Sequence, residues 1–205
     1  MKKFTLLSII GCFVAALAFT SCNTESSGSS YEPLTQQEIT QCFLLTQGSY
    51  NGKMIYPAVN KANVTDKYDT VQVAWNIRTD STMTIYNFPA KAIAEQIQYN
   101  DGLKAALESQ PNQDINCSIL YYVKSPIQFI IGPSNLKYNV EYDGKVHDVE
   151  INFLWQLPSF GMYNSTIERP MQMQILAARM KVDGYETNYG ITTNAMKQFY
   201  FYTEK

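Results

Sequence analysis

The chain has 205 residues, of which 45% are hydrophobic and 17% charged. The charged share is below the ~25% of an average domain and argues against disorder. The formal net charge of −2 offers no electrostatic footprint for nucleic acid, and a single histidine excludes catalysis or metal binding that needs several imidazoles.

In chain order, Met1-Lys2-Lys3 is a positive n-region, and Phe4 to Phe19 is an apolar run broken only by Thr5, Ser8 and Gly11. This run is shorter than the ~20 residues that span a bilayer comfortably and has the pattern of a secretory signal. Phe19-Thr20-Ser21-Cys22 follows where the apolar run ends. It resembles the lipobox of bacterial lipoproteins, with Phe19 in place of the commoner leucine. The resemblance implies cleavage after residue 21 and acylation of Cys22, so Cys12 leaves with the signal. Several acyl chains, at about 0.8 kcal/mol per buried methylene, make a lasting anchor. Residues 22–33 then form the lipidated cysteine and a leash, because Asn23 to Ser30 is too polar and too rich in Ser and Gly to pack. By likeness to known sorting patterns, Asn23 after the cysteine favours the outer membrane, with periplasm-facing and surface-exposed placement both compatible.

Residues 34–205 read as a single β-rich domain. Thr35-Gln36-Gln37-Glu38 is a capping box, and Ile39, Cys42, Phe43 and Thr46 recur on one helical face. Gly48 suits the position just beyond that helix, so a helix is expected over about 36–47. Strands are expected over 49–57, 70–78 and 81–88, with Thr79-Asp80 as a tight turn between the last two. Pro89 opens a helical insertion in two pieces between about 90 and 109, with Ala90, Ile93, Ala94 and Ile97 on one face and Leu103, Ala106 and Leu107 on a second.

Ile115, Cys117, Ile119, Tyr121 and Val123 then alternate along one strand face, and Ile127 to Ile131 follows Pro126. Asp143-Gly144 between two alternating runs predicts a two-residue type I′ hairpin. In that register Tyr142 opposes Lys145, Val140 opposes His147, Tyr138 opposes Val149 and Leu136 opposes Ile151. The polar face sets Lys137 against Glu150 and Asn139 against Asp148. Phe153 and Trp155 continue the apolar face. The last strands are expected over 171–182 and 196–202, and the doubly aromatic Phe199-Tyr200-Phe201-Tyr202 belongs in a covered strand.

The fold class is therefore mainly β: an antiparallel sandwich or barrel of about eight to ten strands, with an N-terminal helix and a short helical insertion. The lipobox, the Gly48-Ser49-Tyr50-Asn51-Gly52-Lys53 opening after a helix and the Asn87-Phe88-Pro89 junction resemble small secreted lipoproteins of Bacteroidota, some with lipocalin-like domains. That resemblance implies no catalytic residue.

Motifs for chemistry are missing. Gly132-Pro133-Ser134-Asn135-Leu136 does not make a nucleophile elbow, and no metalloprotease, phosphate-loop or C-x-x-C pattern occurs. His147 reads as a packing histidine, and the acids Glu141, Asp143, Asp148 and Glu150 as a solvated hairpin face. Cys42 and Cys117 both fall on core faces and are expected buried, as free thiols rather than as a disulfide. Fifteen tyrosines suit half-buried strands and equally sugar or protein contacts. Tyr50, Tyr56, Tyr163, Tyr185 and Tyr189 lie near turns, where an aromatic patch would be exposed.

No cofactor or metal site is expected, and the chain is not expected to be an enzyme. The expectation is a non-enzymatic binding or interaction module at the outer membrane, held through Cys22, with a glycan, a small apolar molecule or an envelope protein as ligand. The alternative is a structural or assembly component of an envelope complex.

Overall fold

The computed structural model describes residues 32–57 and 68–204. The signal, Cys12, Cys22 and the leash up to Tyr31 lie outside the described residues. In chain order the elements are α1 (Gln36–Thr46), β1 (Gly48–Pro57), β2 (Tyr68–Thr79), β3 (Thr82–Phe88), α2 (Ala90–Ala94), α3 (Asp101–Glu108), β4 (Gln113–Lys124), β5 (Ile127–Pro133), β6 (Leu136–Tyr142), β7 (Lys145–Phe153), β8 (Phe160–Tyr163), β9 (Met171–Val182), β10 (Tyr185–Glu186) and β11 (Lys197–Thr203).

Local chemistry sets the first helix. Thr35 Oγ1 accepts from the Glu38 N–H at 3.3 Å, and Glu38 Oε2 accepts from the Thr35 N–H at 3.0 Å. The capping box is complete. At the far end the chain leaves helical geometry at Gln47, and Gly48, at φ 124°, swings it into β1.

Eight antiparallel strands close on themselves in the order β11-β1-β2-β3-β4-β5-β8-β9, with β9 pairing back to β11. The architecture is thus a barrel rather than a sandwich. Period-two alternation sends Met54, Trp75, Ile85, Ile119, Phe129, Met173 and Phe201 into one buried cluster, and each is at most 5% exposed. Trp75 stacks on Tyr50 and meets Phe201 edge-on, at centroid separations of 5.8 and 6.3 Å.

Both mouths of the barrel are covered. At one, α1 packs on β4: the Thr46 hydroxyl bonds to that of Tyr121, and the Tyr50 hydroxyl donates to the Thr46 carbonyl at 2.6 Å. At the other, the helical insertion supplies Ile93, Leu103 and Leu107, all fully buried in the same cluster as Phe88, Phe199 and Phe153. A helical insertion is foreign to a plain lipocalin barrel; here it provides a lid.

β9 is long enough to serve twice. Its first half runs between β8 and β11 inside the barrel, and its second half runs beyond the barrel between β7 and β10. The β6–β7 hairpin is attached in this way. Its register is the expected one at every pair, and Asp143 and Gly144 have φ of 51° and 72°, as a type I′ turn requires. The doubly aromatic strand is covered as expected: β11 lies between β1 and β9.

Three local expectations need correction. The β2–β3 turn is Asp80-Ser81, one residue later than Thr79-Asp80, because Thr79 pairs with Thr82 and its hydroxyl accepts from the Ser81 N–H. β7 ends at Phe153 instead of running on through Trp155, because the ladder to β9 shifts register there. Trp155 is 66% exposed. Finally, β8 and β10 are strands that the alternation did not suggest.

Candidate functional site

The residues with latent chemistry are dispersed. Cys42 and Cys117 are buried and unbonded, as expected. Burial pushes both thiols up from their ordinary range, so neither is an activated nucleophile.

His147 is more engaged than a packing residue. Its Nδ1 lies 2.8 Å from Asp183 Oδ2, and its ring stacks on Tyr142 at 4.2 Å. Asp183 also accepts from the Asp148 N–H at 3.0 Å. These two hydrogen bonds, the one from His147 first, hold the Asp183 carboxyl below its ordinary range. The pair clamps the β6–β7 hairpin to the β9–β10 turn. No serine or threonine bonds to the imidazole among the described residues.

The acids of the Asp143 hairpin do not converge. Glu150 accepts from Asn135 and Asn152 at 2.6 and 2.9 Å. Among the described residues no three His, Cys, Asp or Glu side chains form a metal-binding group.

The five tyrosines near turns do not form a patch either. Tyr50 and Tyr56 point into the barrel. Burial raises the hydroxyls of both above the ordinary tyrosine range. Tyr163 and Tyr189 are half-buried against the core, and Tyr185 alone stands exposed.

A groove with an aromatic wall lies on the outside of the barrel. It has a volume of about 530 Å³ and runs across the outer faces of β3, β4 and β5. Sheet register builds its floor in rows: Thr82, Ser118 and Gly132 are successive cross-strand partners, and so are Thr84 and Asn116. The Thr84 hydroxyl donates to Asn116 Oδ1 at 3.1 Å. Ser134 joins through its N–H, which donates to the Asn116 carbonyl at 2.8 Å. Arg78 stands at one end and Trp155 at the other.

A glycine fixes the tryptophan. A Cβ on Gly132 would fall 1.5 Å from Trp155 Cδ1 and 1.8 Å from Nε1, so the indole edge occupies the space that any other residue would fill. The aromatic ring is therefore seated on the sheet while most of its surface stays in water. Alternation along β7 marked Trp155 as a core residue and hid this role. The one signal in the sequence was Gly132 directly after the apolar run Phe129-Ile130-Ile131, since an isolated glycine in a strand marks close approach of another group.

A second, smaller hollow of about 370 Å³ is lined by Lys53, Glu168, Arg169, Tyr202, Thr203 and Glu204. Two of its four charges, Lys53 and Glu204, are spent on each other. Glu204 pairs with Lys53 and accepts from Gln72, and Arg169 lies 4.1 Å over the Tyr202 ring.

No curated protein and no solved structure matches the chain. One family model does match, that of a domain of unknown function (DUF4840), over residues 45–182. The matched stretch runs from the last turn of α1 to the end of β9 and takes in Arg78, Gly132 and Trp155, while the closing strand β11 follows it. It covers well over half of the sequence, and the chain belongs to the DUF4840 family.

Proposed function

We propose that the protein is a non-enzymatic binding module, tethered to the outer membrane through acylated Cys22, which takes a saccharide ligand in the Trp155 groove on the outside of its barrel. The observation that carries this reading is the contrast between a filled interior and an open, ring-walled outer groove. A small apolar ligand needs a cavity inside the barrel. Trp75, Phe129 and Phe201 already occupy that space. A saccharide instead suits an exposed aromatic face beside small hydroxyl and amide groups, because its rings have both apolar and polar surfaces.

The reading is tested with a panel of oligosaccharides applied to the wild-type chain and to Trp155→Ala. Binding that the substitution abolishes supports it, whereas binding that survives the substitution counts against it. The anchor is tested separately. Cys22→Ala should stop incorporation of labelled fatty acid and leave uncut precursor, and continued labelling would reject it.

An assembly role is the second reading. It is favoured by Leu44 and Leu45 on α1 and Leu120 on the neighbouring β4, all more than half exposed. Exposed apolar side chains of this kind mark contact surfaces when they adjoin. A photo-crosslinker at position 45 should then capture one defined envelope protein in cells.

A further inference from the structure

We infer that the Trp155 groove selects an anionic saccharide, one carrying the carboxylates of uronic acid residues, and that Arg78 reads the charge. This rests on the saccharide reading above and adds the ligand class.

The groove holds one charged residue. Arg78 is exposed at its β2 side, and the other lining residues are neutral: Thr82, Thr84, Asn116, Ser118 and Ser134 supply hydroxyls and an amide. No Asp or Glu lines it, although the chain as a whole is acidic. The nearest acids along the same strands are engaged elsewhere. Asp80 Oδ2 accepts from Gln36, and Asp114 Oδ1 accepts from the Asn87 N–H at 2.9 Å. Arg78 forms no ion pair with a described residue. A guanidinium that stays available beside neutral donors is suited to a carboxylate, which it can grip through two parallel N–H···O bonds.

The geometry sets the order of contacts. From Gly132 on β5 to Arg78 on β2 is three strand spacings, roughly 14 Å. A ligand that touches both the indole and the guanidinium is therefore an oligomer lying across the strands. Its ring stacks on Trp155, its hydroxyls meet the Thr84–Asn116 row and its carboxylate reaches Arg78. Thr84 donates to Asn116 Oδ1, which leaves the two Asn116 Nδ2 hydrogens for ligand oxygens. One arginine in an acidic chain is too little for a nucleic-acid backbone, which needs several cations along its length.

The test uses the full-length chain and one oligomer in two forms: oligogalacturonate and the same oligomer fully methyl-esterified, which keeps size and shape and removes charge. A sulfated oligosaccharide is the third probe. The expected result is that the wild type binds the free acid about tenfold more tightly than the ester, the order for one charge-assisted contact. Arg78→Gln should bring the two forms level without losing the ester. High salt should narrow the gap for the wild type, because an exposed pair is screened. Equal binding of acid and ester by the wild type would overturn the anionic selectivity and leave the saccharide reading standing. Binding of the sulfated probe alone would overturn the choice of carboxylate. Binding of neither form, with neutral oligosaccharides also silent, would overturn the saccharide reading itself.

Discussion

The chain's two tryptophans are placed in opposite ways. Trp75 is fully buried inside the barrel, between Tyr50 and Phe201. Trp155 is 66% exposed on the outside, with Gly132 beneath its ring. Gly132 makes room for the outer indole, whereas the space at Gly52 is taken first by the Tyr202 carbonyl, and one indole fills a core while the other walls a groove. The comparison separates the stability of this barrel from its surface chemistry. Among the described residues Trp75, Phe129 and Phe201 fill the interior, whereas the outer groove leaves its aromatic wall exposed.

The largest expected effect concerns access to that interior. Cys117 lies deep within it, so a thiol reagent reaches it only through global opening. Its labelling should be slowed by at least about 10³-fold relative to the unfolded chain. Cys42 lies on the buried face of α1, outside the strand ladder, and should label ahead of it. Mass-spectrometric mapping of the modified residue checks the order, and rapid native labelling of Cys117 would contradict a packed barrel.

Next in size are the tryptophans themselves. Trp75→Ala should cost about 3–5 kcal/mol and lower the melting temperature by roughly 10 °C. Trp155→Ala should cost less than about 1 kcal/mol, because an exposed side chain loses little packing. Equal losses at the two positions would erase the distinction between inside and outside.

A third effect sharpens the comparison at the hairpin that hangs off the barrel. Gly144 sits at φ 72° with open space around its Cβ position, so the strain of Gly144→Val is purely that of the backbone. A loss of about 1–3 kcal/mol is expected, read as a lower denaturation midpoint. An unchanged midpoint would reject the turn geometry.

The smallest effect belongs to the cap of α1. The hydrogen bond from Lys124 first, and then that from the Thr35 N–H, lower the Glu38 carboxyl from 4.5 to about 2. A depressed folded-state value contributes stability above the unfolded value, and this is lost as pH falls through the folded one. The stability difference between wild type and Glu38→Gln should be constant above about pH 4.5 and fade toward pH 2. It should also shrink in salt, because Lys124 is largely exposed. A difference that persists undiminished at pH 2 would assign the effect to something other than this carboxylate.

How much of this was legible in the sequence depends on how local the determining forces are. The α1 cap and the Asp143-Gly144 register are written in a few adjacent residues, and both were readable to the residue. Asp183-Gly184 carries the same turn signal, with φ of 52° and 83°, and marks the short hairpin that β10 makes with β9. The four-residue β8, Phe-Gly-Met-Tyr, offers no alternation long enough to read. Barrel closure depends on β9 pairing with β11, a non-local contact that no local pattern specifies. The groove was hidden for a related reason. Its floor comes from the outer faces of three strands, and its wall is a tryptophan whose alternation pointed inward.

The most direct test uses the two tryptophans as reporters. Trp75→Phe leaves Trp155 as the sole indole, and it removes a buried Nε1 that has no hydrogen-bond partner, so the barrel should tolerate it. Trp155→Phe leaves only Trp75. Both chains are titrated with oligogalacturonate while indole emission is followed. The expected result is a saturable change in emission, with protection from acrylamide quenching, in the chain that keeps Trp155, and no change in the chain that keeps Trp75. A response from Trp75 with silence from Trp155 would place the ligand inside the barrel and contradict the outer-groove site.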